Sequence, residues 1–138
     1  MKSLATLIKL QKTYVDEQRQ QLARLQDYLD YVEQQIAQLE ISLAREQAAA
    51  QDEEARATYG AYLTSMINRG RELEKDRINA AAAVKLAQEK LAELFEEQKR
   101  YEIAEEARIE QEAREERRRE TLEMDEIGGV MHERQKNK

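Results

Sequence analysis

Proline, cysteine and tryptophan are absent from this sequence, and glycine occurs four times in 138 residues. A compact domain of this length needs several tight connections, and these usually draw on glycine, proline, asparagine or aspartate. The lack of cysteine excludes disulfides and thiolate metal sites. A single phenylalanine argues against a thick core, which normally contains bulky aromatic side chains. These absences favour an elongated protein over a globular one.

Charged residues make up 38% of the chain, and the composition as a whole is dominated by alanine, glutamate, leucine, glutamine, arginine and lysine. This mixture is typical of long helices and coiled coils. The net charge is −6, so the chain as a whole has no field that attracts nucleic acid or anionic lipid. No stretch approaches the roughly 20 apolar residues of a membrane span, and no secretory signal is recognisable. The sequence therefore predicts a soluble, cytoplasmic protein.

A heptad pattern covers residues 4–50, and it predicts helix one over residues 3–50. All six a positions are apolar, and so are four of the six d positions. The a positions are Ile8, Val15, Leu22, Leu29, Ile36 and Leu43, and the d positions are Leu4, Gln11, Gln18, Leu25, Val32 and Leu39.

The pattern fades after Leu43, and a chain reversal is predicted at residues 50–58. Asp52 has the chemistry of a helix N-cap, because the acidic residues that follow it suit the first turn of a helix. Helix two is predicted over 58–127. Its core positions are Tyr59, Leu63, Met66, Gly70, Leu73, Arg77, Ala80, Val84, Ala87, Leu91, Leu94, Gln98 and Tyr101.

Two apolar faces of matching length predict an all-α fold, a long antiparallel two-helix coiled-coil hairpin formed within one chain. If each residue of helix one is paired with the residue of helix two for which the two residue numbers sum to 109, large side chains face small ones, for example Leu39 and Gly70. The same register places Gln11 opposite Gln98, where the two amides could satisfy each other.

Beyond Tyr101 the apolar pattern ends, and residues 105–120 carry seven acids and five bases. Oppositely charged pairs three or four residues apart, such as Glu110 with Arg114 and Glu115 with Arg119, stabilise a helix that has no partner. We therefore expect a single-helix C-terminal overhang. Gly128–Gly129 is predicted to stop the helix. The predicted organisation is a hairpin over residues 1–127 and a flexible tail over 128–138.

Residues that could support catalysis are scarce. His132 is the only histidine, no Glu-x-x-His metal motif is present, and no glycine-rich loop could hold a phosphate. Glutamates flank Arg117–Arg119 and offset the local positive charge, which argues against nucleic-acid binding. We expect no enzymatic activity, no cofactor and no metal.

Two segments allow two interpretations each. Lys2, Lys9 and Lys12 alternate with apolar residues at the N-terminus, which is compatible with contact to a membrane surface or with the start of the heptad pattern. The apolar residues from Tyr59 to Ile67 exceed what a two-helix core can cover. They either shelter the end of the hairpin or form a contact surface for a partner.

Three motifs resemble the flagellar FliJ family, the stalk proteins of the type III export ATPase. They are S-L-A-T-L-I-K-L-Q-K at Ser3–Lys12 followed by Val15–Asp16, Y-G-A-Y-L-T-S-M at Tyr59–Met66, and E-M-D-E-I at Glu123–Ile127. The tryptophans that some members carry in helix two are missing here.

The resemblance implies a role in flagellum biogenesis, and so in motility and chemotaxis, at the cytoplasmic face of the flagellar basal body. The implied partners are the hexameric export ATPase, the membrane protein of the export gate and export chaperones, without direct membrane insertion. Its implied gate-facing residues are Gln35, Leu39, Tyr62 and Met66. Tyr59, in the same motif as Tyr62, completes the set of candidate partner-binding residues.

Two other functions remain compatible with the sequence. One is a generic coiled-coil spacer or adaptor in another assembly. The other is an export chaperone that shelters a secreted partner. A stalk should bind a hexameric ATPase and raise its turnover, whereas a spacer or a chaperone should leave that turnover unchanged.

Overall fold

The computed structural model describes residues 3–137, and they form two long helices packed against each other. Helix α1 spans Leu4–Ala49 and has 46 residues. Helix α2 spans Glu53–Lys136 and has 84 residues. Within 3–137 there is no strand. The all-helical class predicted from composition and heptads is confirmed.

The side chain of Ser3 caps the start of α1. The backbone N–H of Thr6 donates to Ser3 Oγ at 3.2 Å, and the backbone N–H of Leu7 donates to the Ser3 carbonyl at 3.0 Å. The first N–H groups of a helix have no partner within it, so this contact satisfies one of them.

Residues 50–52 join the two helices, which makes the connection shorter than the predicted reversal at 50–58. Asp52 is the N-cap of α2, as predicted, because its Oδ1 accepts a hydrogen bond from the Ala55 N–H at 2.6 Å. Glu53 and Glu54 occupy the first turn, where negative charge is favourable. The cap and these acids start the helix at once, so it begins before the apolar pattern resumes at Tyr59.

One compact unit of the chain comprises Thr13–Phe95. Gln18 Nε2 donates to the Ala87 carbonyl at 3.2 Å, and Leu39 packs over Gly70. Later residues of α1 therefore meet earlier residues of α2 in this unit. Every predicted a and d position within it is buried or half-buried. The most enclosed apolar side chains are Val15, Val32, Leu73, Ala80, Val84 and Ala87.

The second unit comprises the described residues of Met1–Lys12 and Glu96–Lys138. Buried Gln11 donates from Nε2 to Glu97 Oε2 at 3.4 Å, and the Tyr101 hydroxyl donates to Glu97 Oε1 at 2.8 Å. Gln98 Nε2 donates to Glu102 Oε1 at 3.0 Å. Both amides thus have a carboxylate partner. The direct Gln11–Gln98 pairing stays a prediction.

Helix α2 continues through Gly128–Gly129 to Lys136, so the predicted helix stop there is wrong. A glycine that ends a helix usually takes a positive φ, and no described glycine does. Ordinary helix formers follow the pair and continue the helix. The division of the chain into a hairpin at 1–127 and a flexible segment at 128–138 stays a prediction.

Every described residue from 106 onward is exposed. Arg108 pairs with both Glu105 and Glu112 at 2.6 Å, and Arg114 pairs with Glu110 at 2.7 Å, as predicted. Arg119 lies 4.0 Å from Glu116, one residue away from the predicted Glu115. Pairs of this spacing support the helix locally.

Candidate partner-binding surfaces

A pocket of about 310 Å³ lies beside the connection between α1 and α2, and we call it the turn pocket. Small side chains from both helix ends leave room for it. The rings of Tyr59 and Tyr62 lie on its α2 side, with centroids 6.4 Å apart and planes inclined by 34°. The turn pocket is lined by Glu46, Ala49, Ala50, Ala55, Thr58, Tyr59 and Tyr62.

The turn pocket is lined by both apolar and polar groups. Alanine methyl groups and tyrosine rings can contact an apolar side chain, while the phenol hydroxyls and the Glu46 carboxylate can make hydrogen bonds. Tyr59 and Tyr62 are both half-buried. Tyrosines in this state are common in protein interfaces because they present an apolar ring and a polar tip.

The five predicted contact residues divide into two groups. Tyr59 and Tyr62 line the turn pocket, whereas Gln35, Leu39 and Met66 are not among its lining residues. A Cβ added at Gly70 would lie 3.3 Å from Leu39 Cδ2, which shows that Leu39 fills the space above that glycine. Leu39 and Met66 occupy core positions and are half-buried, as is Gln35 at the edge of the core. Leu39 therefore has a packing role whether or not a partner touches it.

Sequence reasoning missed the α1 side of the turn pocket. Glu46, Ala49 and Ala50 come from the last turn of α1 and the connection. The run of alanines at 48–50 is a usable signal, because small residues beside a chain reversal leave space next to large ones.

A second groove, of about 560 Å³, was also missed. The sequence feature that could have predicted this groove is a heptad spacing. Tyr14 and Gln21 are seven residues apart, and each directly precedes an a position. Such residues lie at the edge of the core. The groove is lined by Tyr14, Glu17, Gln18, Gln21, Arg24, Lys90 and Leu94.

The titratable groups with shifted pKa values belong to side-chain pairs that stabilise the helix, and they do not form a reactive site. Hydrogen bonding from Arg77 lowers the pKa of Glu74, and hydrogen bonding from Arg108 lowers the pKa of Glu105. A hydrogen bond to Glu97 raises the pKa of Tyr101. Each pair consists of neighbours three or four residues apart on α2. Among residues 3–137 no cluster of three histidine or acidic side chains could hold a metal ion.

Comparison with protein families identifies the chain. The model of the Flagellar FliJ protein family matches residues 1–137. The chain belongs to this family. The resemblance drawn from Ser3–Lys12, Tyr59–Met66 and Glu123–Ile127 is therefore confirmed at the level of the family. Comparisons with curated proteins and with solved structures gave no significant match.

Membership in this family places the chain among non-catalytic components of flagellar export. In the part of the chain that the structure describes, neither helix has a stretch long and apolar enough to cross a membrane.

Proposed function

We propose that this chain is a non-enzymatic stalk component of the flagellar type III export apparatus. In this role it binds the hexameric export ATPase and the membrane protein of the export gate, promotes assembly of the ATPase ring and so supports export of flagellar subunits. Family membership over residues 1–137 is the observation that carries the proposal. Its location is the cytoplasmic face of the basal body, and empty export chaperones are further partners.

The proposed architecture is an antiparallel coiled-coil hairpin whose second helix continues as a single-helix overhang. The Gln18–Ala87 and Leu39–Gly70 contacts support antiparallel pairing, because the α1 number rises as the α2 number falls. Exposure of all described residues from 106 onward supports the overhang.

Cysteines introduced at Gln11 and Gln98 test the register. The native chain has no cysteine, so any disulfide must involve the introduced pair. The predicted register places these positions opposite each other, and oxidation should give an intramolecular crosslink. Absence of that crosslink under oxidising conditions contradicts the register.

The two partners are assigned to chemically different surfaces. The turn pocket, lined by tyrosines and alanines, suits a specific contact with the export gate. The charged, exposed segment 106–137 suits the export ATPase, since a helix without apolar burial against its own chain is available to a surrounding ring. The family-derived residues Gln35, Leu39 and Met66 extend the proposed gate surface along the helices.

The proposal is tested by measuring the turnover of the cognate export ATPase with and without the purified chain. A stalk raises turnover and co-sediments with the hexamer at micromolar concentration. An unchanged rate together with no association contradicts the stalk function. Stoichiometric binding of a secreted subunit at an unchanged rate would instead identify an export chaperone.

Tyr62→Ala tests the proposed gate surface. Loss of an aromatic side chain from an interface commonly costs about 1–2 kcal/mol, so gate binding should weaken by about five- to thirtyfold. Tyr28→Ala is the matched control, because Tyr28 is an exposed tyrosine on α1 outside the turn pocket. Binding titrations with the purified gate domain, with helicity checked by circular dichroism, provide the readout. Equal effects of the two substitutions would remove Tyr62 from the contact surface.

A further inference from the structure

Four apolar residues near the end of α2 form an exposed stripe. Met124, Ile127 and Met131 follow one another at intervals of three and four residues, which places them on one side of the helix, and Val130 lies beside them. Their side chains are between 50% and 69% exposed. Together with Glu126 and Arg134, three of them line a shallow depression of about 340 Å³. We call these four residues the C-terminal stripe.

The C-terminal stripe is uncovered by the described chain. All described residues from 106 to 137 are exposed, so none of them packs over it. Contiguous apolar surface of this kind, edged by charged side chains, is typical of a surface that binds another helix. The stripe covers two helical turns, which suits a short helix–helix contact.

Charge is distributed unevenly along this face. At about 100° per residue, Glu120 and Glu123 lie on the stripe side and toward the N-terminus, while Arg134 lies on the same side toward the C-terminus. From its N-terminal to its C-terminal end, this face of α2 is therefore acidic, then apolar, then basic. A partner helix must present the reverse order. A second copy of the same helix does so when it runs antiparallel, whereas a parallel copy would set acids against acids.

We propose that the C-terminal stripe binds the C-terminal stripe of a second copy of this chain, in an antiparallel arrangement with twofold symmetry. Ile127 then packs against Met131 of the second copy, and Met124 packs against the aliphatic part of Arg134 of the second copy. The guanidinium of that arginine reaches Glu123. Because of the twofold symmetry, each of these contacts occurs two times in the dimer.

This contact is small and it is separate from the family-based stalk function. Specific interfaces that form stable complexes are usually larger, so a weak, concentration-dependent dimer is expected. A dimer made in this way covers the C-terminal stripe, and any partner that binds the same stripe must compete with the second copy.

Sedimentation equilibrium of the full chain tests the proposal, at low salt and at concentrations up to about 1 mM. The wild-type chain should show a reversible monomer–dimer equilibrium. Ile127→Glu places a carboxylate in each apolar contact and should weaken association by at least about a hundredfold. Leu122→Glu is the matched control, because Leu122 is equally exposed but lies on the opposite side of the helix. It should leave association within about twofold of wild type.

Charge exchange tests the antiparallel arrangement. Glu123→Arg alone and Arg134→Glu alone each set like charges together at both symmetric contacts, so each should weaken association about tenfold. Both substitutions in one chain restore opposite charges and should restore wild-type association. A wild-type chain that stays monomeric at every concentration contradicts the proposal. This holds even if Ile127→Glu weakens binding of the ATPase, because the stripe would then contact the ATPase and not a second copy. A double variant as weak as the single variants contradicts it as well.

Discussion

The compact unit Thr13–Phe95 and the segment 106–137 are both helical, but different forces hold them. In Thr13–Phe95, Val32 is 1% exposed and Leu73 is 3% exposed, because side chains from α1 and α2 enclose each other. In 106–137 every described residue is exposed, and arginine–glutamate pairs along the same helix supply the side-chain contacts. The same secondary structure thus has a tertiary basis in one region and a local basis in the other.

This difference predicts different responses to perturbation. Burial of apolar surface couples the two helices, so the packed region should unfold cooperatively. Pairs between neighbours on one helix contribute a few tenths of a kcal/mol at most and depend on salt. The segment 106–137 should therefore open in small parts while the packed region stays folded.

Breaking the packed region should produce the largest effect. Val84→Asp places a carboxylate at a buried position between the buried Ala80 and Ala87, so we expect the free energy of unfolding to fall by about 3 kcal/mol or more. Leu122→Asp is the matched control in the exposed region and should change the free energy of unfolding by about 0.5 kcal/mol or less. Urea titration followed by circular dichroism measures both. Similar losses for the two variants would remove the distinction between the regions.

Strengthening the exposed region should have an intermediate effect. A Cβ at Gly128 or Gly129 would meet no atom within 4 Å, so alanine fits at either position. Each substitution should favour the helix by about 1 kcal/mol, because glycine is a poor helix former. Amide exchange at 124–134 should slow about fivefold per substitution. Unchanged exchange would mean that this part of α2 is not limited by helix propensity.

Gly70→Ala is the matching change in the packed region. The added Cβ would lie 3.3 Å from Leu39 Cδ2, so the Leu39 side chain must shift. The gain in helix propensity is then offset by the tighter contact, and stability should rise less than the 1 kcal/mol or so expected at an open helical site. Gly60→Ala, with no atom within 4 Å of its Cβ, is the control. A larger gain at Gly70 than at Gly60 would contradict the close packing of Leu39.

Acid should loosen the exposed region by a small amount. Hydrogen bonding from Arg108 lowers the pKa of Glu105 below its ordinary 4.5, so the helix favours the ionised carboxylate. This contribution is complete above pH 4.5 and is lost as the pH falls through the lowered pKa. Protection of the amides at 105–112 should therefore decrease below pH 4.5. Arg108→Gln should remove most of that dependence, and an unchanged pH profile in this variant would contradict the role of Arg108.

The packed core was largely predictable from the sequence. All a and d positions from Leu4 to Tyr101 are buried or half-buried, since the heptad period fixes which side chains face the partner helix. Asp52 was predictable as an N-cap from its own chemistry and the acids that follow. Gly128–Gly129 misled the prediction because a glycine pair is compatible with either a helix stop or a costly helix interior.

The candidate surfaces were predictable only in part. Tyr59 and Tyr62 belong to the segment whose apolar residues exceed what a two-helix core can cover, and both line the turn pocket. Glu46 and Ala49 could not be assigned to the same pocket, because their proximity to Tyr62 depends on the three-residue connection that the sequence placed too broadly. The partners of Gln11 and Gln98 depend on side-chain conformations, which periodicity does not specify.

We propose that the packed region of the chain is a scaffold and that segment 106–137 binds the export ATPase. Hydrogen exchange of the full chain, with and without the purified ATPase hexamer, tests it most directly. Amides at 106–134 should gain protection when the ATPase is added, while those at 15–36 and 73–94 should exchange slowly both with and without it. Protection that changes only within Thr13–Phe95, or nowhere, would contradict the claim.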